Sequence, residues 1–283
     1  MKIAITGATG FIGHHVRNIL KLTDNEVLLV TRDARKVSTL FSNESVLLAN
    51  IGEFDQEWFS KFGEPDAVLH LAWGGLPNYL SQHHILVELP MQIRFLTSLI
   101  ESGLKKLVVT GTCYEYGSLM GALSEHHETM PSTQYGIAKN NLRKILFELQ
   151  QRKNYELAWA RIFYPYGEGQ SKTSLYSQLH TAVRNGENEF PINNGKQILD
   201  FIQVEEVARV LVRLLDQSSN IGVINIGSGN PQSVYEFVHQ QINKNGWSII
   251  PKIGLKSVRD YESPSFWADI TKMRVIFERD LWI

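Results

Sequence analysis

The chain has 283 residues, of which 43% are hydrophobic and 20% charged, and its formal net charge is −1. This composition is typical of a globular protein with a sizeable core, built as one large α/β domain or as a domain with a smaller lobe. Because the charges balance and no basic block occurs, binding to nucleic acid or to an anionic membrane has no electrostatic support.

Few residues could form a metal site, a disulfide or a membrane segment. Cys113 is the only cysteine, which excludes an intramolecular disulfide and a cysteine-built metal site. His83 and His84 lack further ligands at a suitable spacing, and we interpret them as surface or supporting groups. Met1 leads directly into a strand-like segment without a signal peptide, and no stretch of about 18 apolar residues is free of charge. We expect a cytoplasmic protein that binds no metal and no membrane.

Strand-like and helix-like segments alternate through the first half of the chain. Short apolar segments predict strands at 2–6, 26–31, 45–49, 67–70, 106–110 and 157–162. Helical segments, among them 86–102 and 133–152, lie between several of these strands. Strands that alternate with helices predict a parallel sheet covered on both faces.

The alternation weakens after about Pro165. Loop-like stretches at 167–173 and 185–195 are mixed with helices and with short apolar segments such as 223–226. We therefore predict a smaller lobe built mainly from the last third of the chain, with the chain returning to the main sheet.

Gly7, Gly10 and Gly13 directly follow the first predicted strand and open the first predicted helix. Without a Cβ atom, the backbone can turn tightly and approach a diphosphate, which the N-terminus of a helix favours electrostatically. The spacing G-x-x-G-x-x-G at this place predicts a dinucleotide-binding turn.

Tyr135 and Lys139 are four residues apart, which puts both side chains on one face of a predicted helix. A phenol is a poor acid–base catalyst at its free pKa of about 10, and a neighbouring positive charge favours loss of its proton. The pair is a candidate for proton transfer, and the alternative is a packed aromatic residue on an amphipathic helix.

These motifs and several others resemble the extended short-chain dehydrogenase/reductase family, which includes nucleotide-sugar epimerases, dehydratases and reductases. The glycine-rich turn resembles the start of the family, and Tyr135 with Lys139 its catalytic pair. Further matches follow in order at His70-Leu71-Ala72, at Thr112 four residues before Tyr116-Gly117, and at 161–167, 200–208, 225–229 and 268–272.

The resemblance implies an α/β architecture with a Rossmann fold, a doubly wound parallel sheet that binds NAD(P). This domain would comprise residues 1–164 with return segments near 197–228, and residues 165–283 would form mainly a substrate-binding lobe. A homodimer is also implied, in which the helices at 86–102 and 133–152 pair across a two-fold axis.

The resemblance further implies a catalytic triad of Thr112, Tyr135 and Lys139. Lys139 would bind the nicotinamide ribose and lower the pKa of Tyr135, which would exchange a proton with a carbonyl oxygen held by Thr112. The other expected cofactor contacts are Gly7, Gly10, Phe11, Ile12, Gly13, Arg32, Asn50, Ile51, Leu71, Ala72 and Thr110. The expected substrate contacts are Trp73, Thr112, Tyr114, Tyr164 and Arg259.

Arg32, at the end of the second predicted strand, indicates which cofactor binds. In sites that prefer NAD, an acidic side chain near this place binds the ribose 2′-hydroxyl. A guanidinium instead pairs with a 2′-phosphate. We expect NADP, and NAD is the alternative because Asp33 could face the ribose.

Cys113 and Tyr114 follow Thr112, at the place where 4,6-dehydratases of the family have Asp-Glu for β-elimination. Dehydration is therefore not expected, and we interpret Cys113 as a small buried residue rather than an acid–base group. The remaining reactions are ketone reduction and 4-epimerisation. We expect NADPH-dependent reduction of a 4-keto nucleotide sugar, such as a dTDP-4-keto-6-deoxyhexose for surface polysaccharide, with an NAD-dependent 4-epimerase as the alternative.

Two positions depart from the family pattern. Leu199 replaces an arginine that commonly binds the substrate diphosphate, and Tyr164-Pro165 replaces a frequent asparagine. Arg259 lies where the family often has another diphosphate-binding arginine, although it could be a surface residue. The departures leave room for another carbonyl substrate. A non-catalytic dinucleotide-binding protein would be expected to lose Tyr135 or Lys139, and both are present.

Overall fold

The structure is a computed structural model that describes residues 1–33, 35, 45–53, 55–255 and 261–277. The strands are β1 (Lys2–Thr6), β2 (Glu26–Thr31), β3 (Ser45–Leu48), β4 (Ala67–His70), β5 (Lys106–Thr112), β6 (Gly121–Leu123), β7 (Glu156–Ile162), β8 (Tyr164–Tyr166), β9 (Glu189–Pro191), β10 (Ile198–Leu199), β11 (Phe201–Gln203), β12 (Gly222–Ile226), β13 (Gln232–Ser233), β14 (Ile250–Lys252) and β15 (Phe266–Ala268). The helices are α1 (Phe11–Leu20), α2 (Trp58–Lys61), α3 (Leu89–Glu101), α4 (Gln134–Gln150), α5 (Leu175–Arg184), α6 (Val204–Asp216), α7 (Val234–Asn245) and α8 (Thr271–Phe277).

The central sheet has seven strands in the order β12-β7-β5-β4-β1-β2-β3, and every neighbouring pair is parallel. The chain order reverses between β1 and β4, as in a doubly wound sheet. The predicted parallel sheet is confirmed. Its predicted strands are all present, with ends that differ by at most two residues.

Apolar side chains cover both faces of the sheet. Ile3 and Ile5 of β1 belong to one core cluster, to which α1 and α6 also contribute. Ala4 belongs to a second cluster on the opposite face, together with side chains of α3 and α4. Because successive side chains of a strand point to opposite faces, a short apolar strand serves both clusters.

The described strands outside the central sheet form four short pairs. These pairs are β6 with β15, β8 with β11, β9 with β14, and β10 with β13. The Asp200 carboxylate accepts hydrogen bonds from the backbone N–H groups of Ser228 (2.7 Å), Gly229 (3.1 Å) and Ala268 (3.0 Å). One buried carboxylate thus holds three segments of the second half together. The boundary between a cofactor-binding domain and a substrate-binding lobe at residues 164 and 165 stays a prediction.

The edge strand β12 comes from the second half of the chain and pairs with β7. The Tyr116 hydroxyl donates a hydrogen bond of 2.8 Å to Asn225 Oδ1 of β12, and Asn225 Nδ2 donates one of 2.7 Å to the Leu123 carbonyl. The segment after β5 is therefore anchored to the last strand of the sheet. None of the helices among the described residues is long and apolar enough to span a bilayer.

Candidate active site

The glycine-rich turn packs tightly against the loop that follows β4. Gly7 has a φ of 73°, and a Cβ atom on it would lie 2.7 Å from the backbone nitrogen of Ala72 and 2.9 Å from the carbonyl carbon of Leu71. A Cβ atom on Gly13 would lie 2.3 Å from the Gly7 carbonyl oxygen. Larger residues are excluded at Gly7 and Gly13, and the structure brings the predicted turn and the predicted Leu71–Ala72 contacts together.

The first turn of α1 provides backbone donors for an anion. The helix begins at Phe11 and Ile12, its N-cap is Gly10, and it has neither a side-chain cap nor an acidic residue in its first turn. The unpaired N–H groups at a helix N-terminus, together with the helix dipole, bind phosphate. The turn therefore fits the diphosphate of a dinucleotide cofactor.

A cavity of about 500 Å³ lies at the carboxyl ends of β2 and β3, and residues between β4 and α3 also line it. Arg32, Asn50 and Arg94 are among the polar side chains that line it. The Asp33 carboxylate pairs with Arg35 at 3.1 Å. Two guanidinium groups thus face one cavity, and sequence reasoning identified only the first.

Ile51 lies beside this cavity rather than in it. It lines a smaller neighbouring pocket with Met91 and Phe95. The Asn50 side chain accepts a hydrogen bond of 3.1 Å from the Gly52 N–H and donates one of 3.3 Å to Glu53 Oε1. Of these two expected cofactor contacts, Asn50 lines the larger cavity and Ile51 the smaller pocket.

Tyr135 and Lys139 are buried on α4, with 8% and 1% of their surfaces exposed. The helix starts after Thr133, whose hydroxyl accepts a hydrogen bond of 3.0 Å from the Gly136 N–H and caps the first turn. The Tyr135 N–H donates one of 3.0 Å to the Tyr79 carbonyl. The loop after β4 thereby fixes the start of the helix that carries the pair.

Lys139 contacts the end of β5 and the loop after β4. Its Nζ donates a hydrogen bond of 2.8 Å to the Thr110 carbonyl and lies 4.1 Å from the centre of a Trp73 ring. Burial lowers the pKa of Lys139 to about 7, while Glu115 and Glu88 act in the opposite direction. The ammonium form and the neutral amine of Lys139 are therefore both populated near neutral pH.

The expected lowering of the Tyr135 pKa is wrong for this structure. Burial is the largest effect and raises the pKa, Tyr79 and Glu115 raise it further, and a hydrogen bond with Thr112 lowers it. Lys139 Nζ is 6.0 Å from the centre of the Tyr135 ring and is bonded elsewhere. The Tyr135 phenol is therefore protonated at neutral pH and suited to donate a proton.

Several aromatic side chains lie near the Tyr135 ring. Trp73 and Tyr79 lie at ring distances of 5.8 and 5.7 Å from it, and Tyr114 at 6.4 Å. Tyr164 lies 6.4 Å from Tyr114. The structure thus groups the predicted substrate contacts Trp73, Tyr114 and Tyr164 near Tyr135. Arg259 lies outside the described residues.

His84 holds Trp73, one of these aromatic residues, in place. It is fully buried, so the interpretation of His84 as a surface residue is wrong, whereas its interpretation as a supporting group remains. The Trp73 indole N–H donates a hydrogen bond of 3.1 Å to His84 Nδ1, and His84 Nε2 is 2.8 Å from the Asn78 carbonyl. These partners assign the proton of the neutral ring to Nε2.

The residues after Thr112 offer no ready acid–base pair. Cys113 is 3% exposed, and burial raises the pKa of its thiol. Burial also raises the pKa of Tyr114, whose hydroxyl donates a hydrogen bond of 2.7 Å to Glu262 Oε1. Sequence reasoning missed Glu262, because no motif marks a contact between residues so far apart. Within the described residues no group of three or more His, Cys, Asp or Glu side chains could hold a metal ion.

A doubly wound sheet, a glycine-rich phosphate turn and a buried Thr–Tyr–Lys site define an extended short-chain dehydrogenase/reductase. A family model agrees over residues 3–227, and the chain belongs to the NAD dependent epimerase/dehydratase family.

Known relatives share most of their length with the chain. It is 29% identical to the dTDP-6-deoxy-L-talose 4-dehydrogenase (NAD(+)) of Aggregatibacter actinomycetemcomitans, over 94% of the chain and 99% of that protein. It is 23% identical to the dTDP-4-dehydro-6-deoxyglucose reductase of Escherichia coli, over 86% and 82%. The UDP-glucuronic acid 4-epimerase of Bacillus cereus, solved with UDP-glucuronic acid and NAD, is 25% identical with a TM-score of 0.82, covering 97% of this chain and 92% of that one.

Proposed function

We propose that the protein is an NADPH-dependent 4-ketoreductase of a nucleotide sugar. The substrate would be a dTDP-4-keto-6-deoxyhexose and the product the 4-hydroxy sugar, used for surface polysaccharide. Two curated relatives support this substrate class, since their names describe a 4-dehydrogenase and a 4-dehydro sugar reductase with dTDP-linked deoxyhexoses.

The observation that carries the proposal is a protonated Tyr135 beside Thr112. The next two residues, Cys113 and Tyr114, have no acid–base character. Reduction of a ketone needs one proton for the oxygen and one hydride for the carbon, whereas β-elimination needs a further acid and base. A buried thiol at Cys113 and a hydrogen-bonded phenol at Tyr114 do not provide these. The site is therefore best suited to reduction of a carbonyl group.

Each residue of the triad has one task in this reaction. NADPH, when bound, supplies the hydride for the carbonyl carbon. Tyr135 donates its phenolic proton to the carbonyl oxygen, and the Thr112 hydroxyl holds that oxygen. Lys139 would hold the ribose next to the nicotinamide, and the tyrosinate regains its proton from solvent after the product leaves. The aromatic residues around Tyr135 exclude water from the reacting atoms.

Arg32 and Arg94 support NADP as the cofactor, because both line the cavity at the carboxyl ends of β2 and β3. A 2′-phosphate there would gain charge-assisted hydrogen bonds that a 2′-hydroxyl cannot make. Replacing Arg32 with Ala should raise the KM for NADPH by roughly tenfold and leave the KM for NADH nearly unchanged. Arg152→Ala, at an exposed surface pair with Glu148, is the control. An equal effect of Arg32→Ala on both cofactors would contradict NADP selection.

The deciding experiment is an assay with dTDP-4-keto-6-deoxyglucose and either NADPH or NADH. We expect loss of nicotinamide absorbance and formation of the dTDP-linked 4-hydroxy sugar, faster with NADPH. The reverse reaction with the isolated product and NADP should restore the absorbance. No oxidation of either cofactor would reject the reductase for this substrate.

An NAD-dependent nucleotide-sugar 4-epimerase is the second candidate, supported by the similarity to the Bacillus cereus 4-epimerase. In an epimerase the ketone is only an intermediate, so the cofactor is not consumed. Incubation with a dTDP- or UDP-hexose without added cofactor distinguishes the two. Appearance of the 4-epimer, without net change in nicotinamide absorbance, would favour the epimerase.

A further inference from the structure

Glu115 is a fully buried carboxylate that neither the motifs nor the proposed mechanism uses. It lies in the 3-10 turn Cys113–Tyr116, directly after β5. Its Oε1 accepts hydrogen bonds from the Thr112 N–H (3.0 Å) and from the Trp159 indole N–H (2.8 Å). Its Oε2 accepts one of 2.9 Å from Arg161 Nε and lies 3.4 Å from Arg143 Nε. Burial of a carboxylate is costly unless several partners compensate for its lost hydration.

The polar partners of Glu115 come from three elements of the fold. Thr112 ends β5, Trp159 and Arg161 belong to β7, and Arg143 belongs to α4. Arg143 follows Lys139 by one helical turn, so it lies on the side of α4 that carries the proposed catalytic pair. The proposed catalytic groups are thus divided between β5 and α4, and Glu115 is bound to both.

The packing around this turn leaves little room for adjustment. A Cβ atom on Gly111 would lie 2.6 Å from Glu115 Oε1 and 2.2 Å from the Trp159 indole nitrogen. A Cβ atom on Gly136 of α4 would lie 2.6 Å from the Tyr114 carbonyl oxygen. The turn therefore touches the strand on one side and the start of α4 on the other, so that a change at Glu115 is transmitted to both.

Glu115 also acts through its charge. It raises the pKa of Lys139, as does Glu88 from the segment before α3, while burial lowers it. His70 of β4 faces Lys139 too, and it is neutral because burial and Lys139 lower its pKa to about 3. Tyr79, Glu115 and Cys113 raise the pKa of Tyr135 through their charges. The titratable side chains of His84, Tyr114 and Lys139 also lie near its ring.

We propose that Glu115 is a positioning residue of the reaction: it fixes Thr112 relative to the helix that carries Tyr135 and Lys139, and places a negative charge behind that pair. The inference rests on the proposed function for its kinetic consequences. Its electrostatic part concerns the protein alone and needs no substrate.

Glu115→Gln is the first test variant, because it keeps the shape of the side chain and removes the charge. We expect kcat to fall roughly tenfold or more, with KM values for cofactor and substrate within about threefold of wild type. The pH limb that reports Lys139, whose pKa is about 7, should move to lower pH, since a negative neighbour is lost. Glu148→Gln, on the exposed side of the same helix, is the matched control and should behave as wild type.

A nuclear magnetic resonance titration of 13C-lysine in the protein without substrate tests the electrostatic part. Lys139→Arg assigns the signal. In folded Glu115→Gln, we expect Lys139 to titrate at a lower pH than in wild type. A folded variant with wild-type kcat, or with unchanged Lys139 titration, would overturn the proposal. If wild type reduces no 4-keto sugar, the proposed function fails, whereas the titration still decides about Glu115.

Arg143→Met is the second variant, in case Glu115→Gln does not fold. It removes the contact between α4 and Glu115, along with the hydrogen bonds that Arg143 Nη2 donates to Asn140 and Thr129. The bonds from Thr112, Trp159 and Arg161 to Glu115 stay in place. We expect kcat to fall at least roughly fivefold with little change in KM. Wild-type kcat in folded Arg143→Met would reject the link between β5 and α4.

Discussion

Tyr135 and Lys139 share one face of α4, yet their polar atoms have different partners. Lys139 Nζ is bonded to the Thr110 carbonyl and faces Trp73, while Tyr135 has Thr112 as its hydrogen-bond partner. Helical spacing puts two side chains near each other, and burial then decides the protonation of both. A neutral phenol beside a lysine with a pKa of about 7 is an arrangement for giving a proton to a carbonyl oxygen.

Tyr135→Phe tests the proton donor. The substitution removes one hydroxyl from a buried ring, and we expect kcat of the proposed reductase to fall by about 10²- to 10⁴-fold while the fold is retained. Circular dichroism and steady-state kinetics check both points. Tyr155→Phe is the matched control, since its buried hydroxyl donates to the Leu146 carbonyl far from the triad. A Tyr135→Phe variant with wild-type turnover would instead favour the alternative of a non-catalytic dinucleotide-binding protein.

Lys139→Met tests the burial of the amine through the pH dependence of stability. The folded pKa of Lys139 is about 7, against about 10.5 for an exposed lysine. Between these values the unfolded chain binds more protons, so the contribution of Lys139 to stability rises with pH. Below pH 7 the buried charge is most costly. We expect Lys139→Met to be more stable than wild type at pH 6, and the difference to shrink towards pH 10 in urea unfolding. A difference independent of pH would contradict a lowered pKa.

At the scale of elements, the loop between β4 and α3 connects the cofactor side of the site with the substrate side. Its start touches Gly7, its middle accepts the Tyr135 N–H at Tyr79, and its Trp73 ring is held by His84. A π-helical turn, His84–Glu88, joins it to α3. Such turns occur often at functional sites, because they place side chains that a regular helix would turn away.

Trp73→Ala and His84→Phe test this loop. Removing the indole takes away the contact with Lys139 and one side of the aromatic wall, so we expect substrate KM to rise roughly tenfold and kcat to fall. His84→Phe keeps an aromatic ring at this position but loses the hydrogen bond that orients Trp73. We expect it to raise the substrate KM by a smaller factor than Trp73→Ala. Substrate kinetics measure both. An unchanged KM in Trp73→Ala would remove this residue from the proposed substrate contacts.

At the scale of the whole molecule, the sheet order places the site. Chain order reverses between β1 and β4, so the loops after these strands turn to opposite faces and leave a crevice at the carboxyl edge. The phosphate turn, the loop between β4 and α3, and Thr112 all lie at this edge. The position of the site thus follows from topology, and its chemistry from individual side chains.

The oligomer is a prediction at the same scale. Ile93 on α3 and Ile145 on α4 are only half-buried in the single chain, and pairing of these helices across a two-fold axis would cover them. We expect light scattering to give about twice the chain mass of 32.2 kDa, and Ile145→Glu to give the single-chain mass. A single-chain mass for wild type at micromolar concentration would contradict the homodimer.

Sequence reasoning succeeded where the signal is local. Apolar segments between loops located the strands, and glycine spacing located the phosphate turn, because period and backbone freedom are visible within a few residues. Partners distant in the chain could not be predicted. Glu115 is 46 residues from Arg161, and Tyr114 is 148 from Glu262, so nothing local links them. The direction of the Tyr135 pKa shift was missed for the same reason, since burial depends on the whole fold.

The position of β12 at the edge of the sheet also affects how the protein is made. Synthesis proceeds from the N-terminus, and β12 is the last of the seven strands to leave the ribosome. Until then, β7 has an open edge, and Tyr116 lacks the Asn225 side chain that anchors the segment after Thr112. A nascent chain that has emerged only to about residue 220 therefore has all three triad residues but not their final support. During translation the exposed edge of β7 is where chaperones or neighbouring chains could bind.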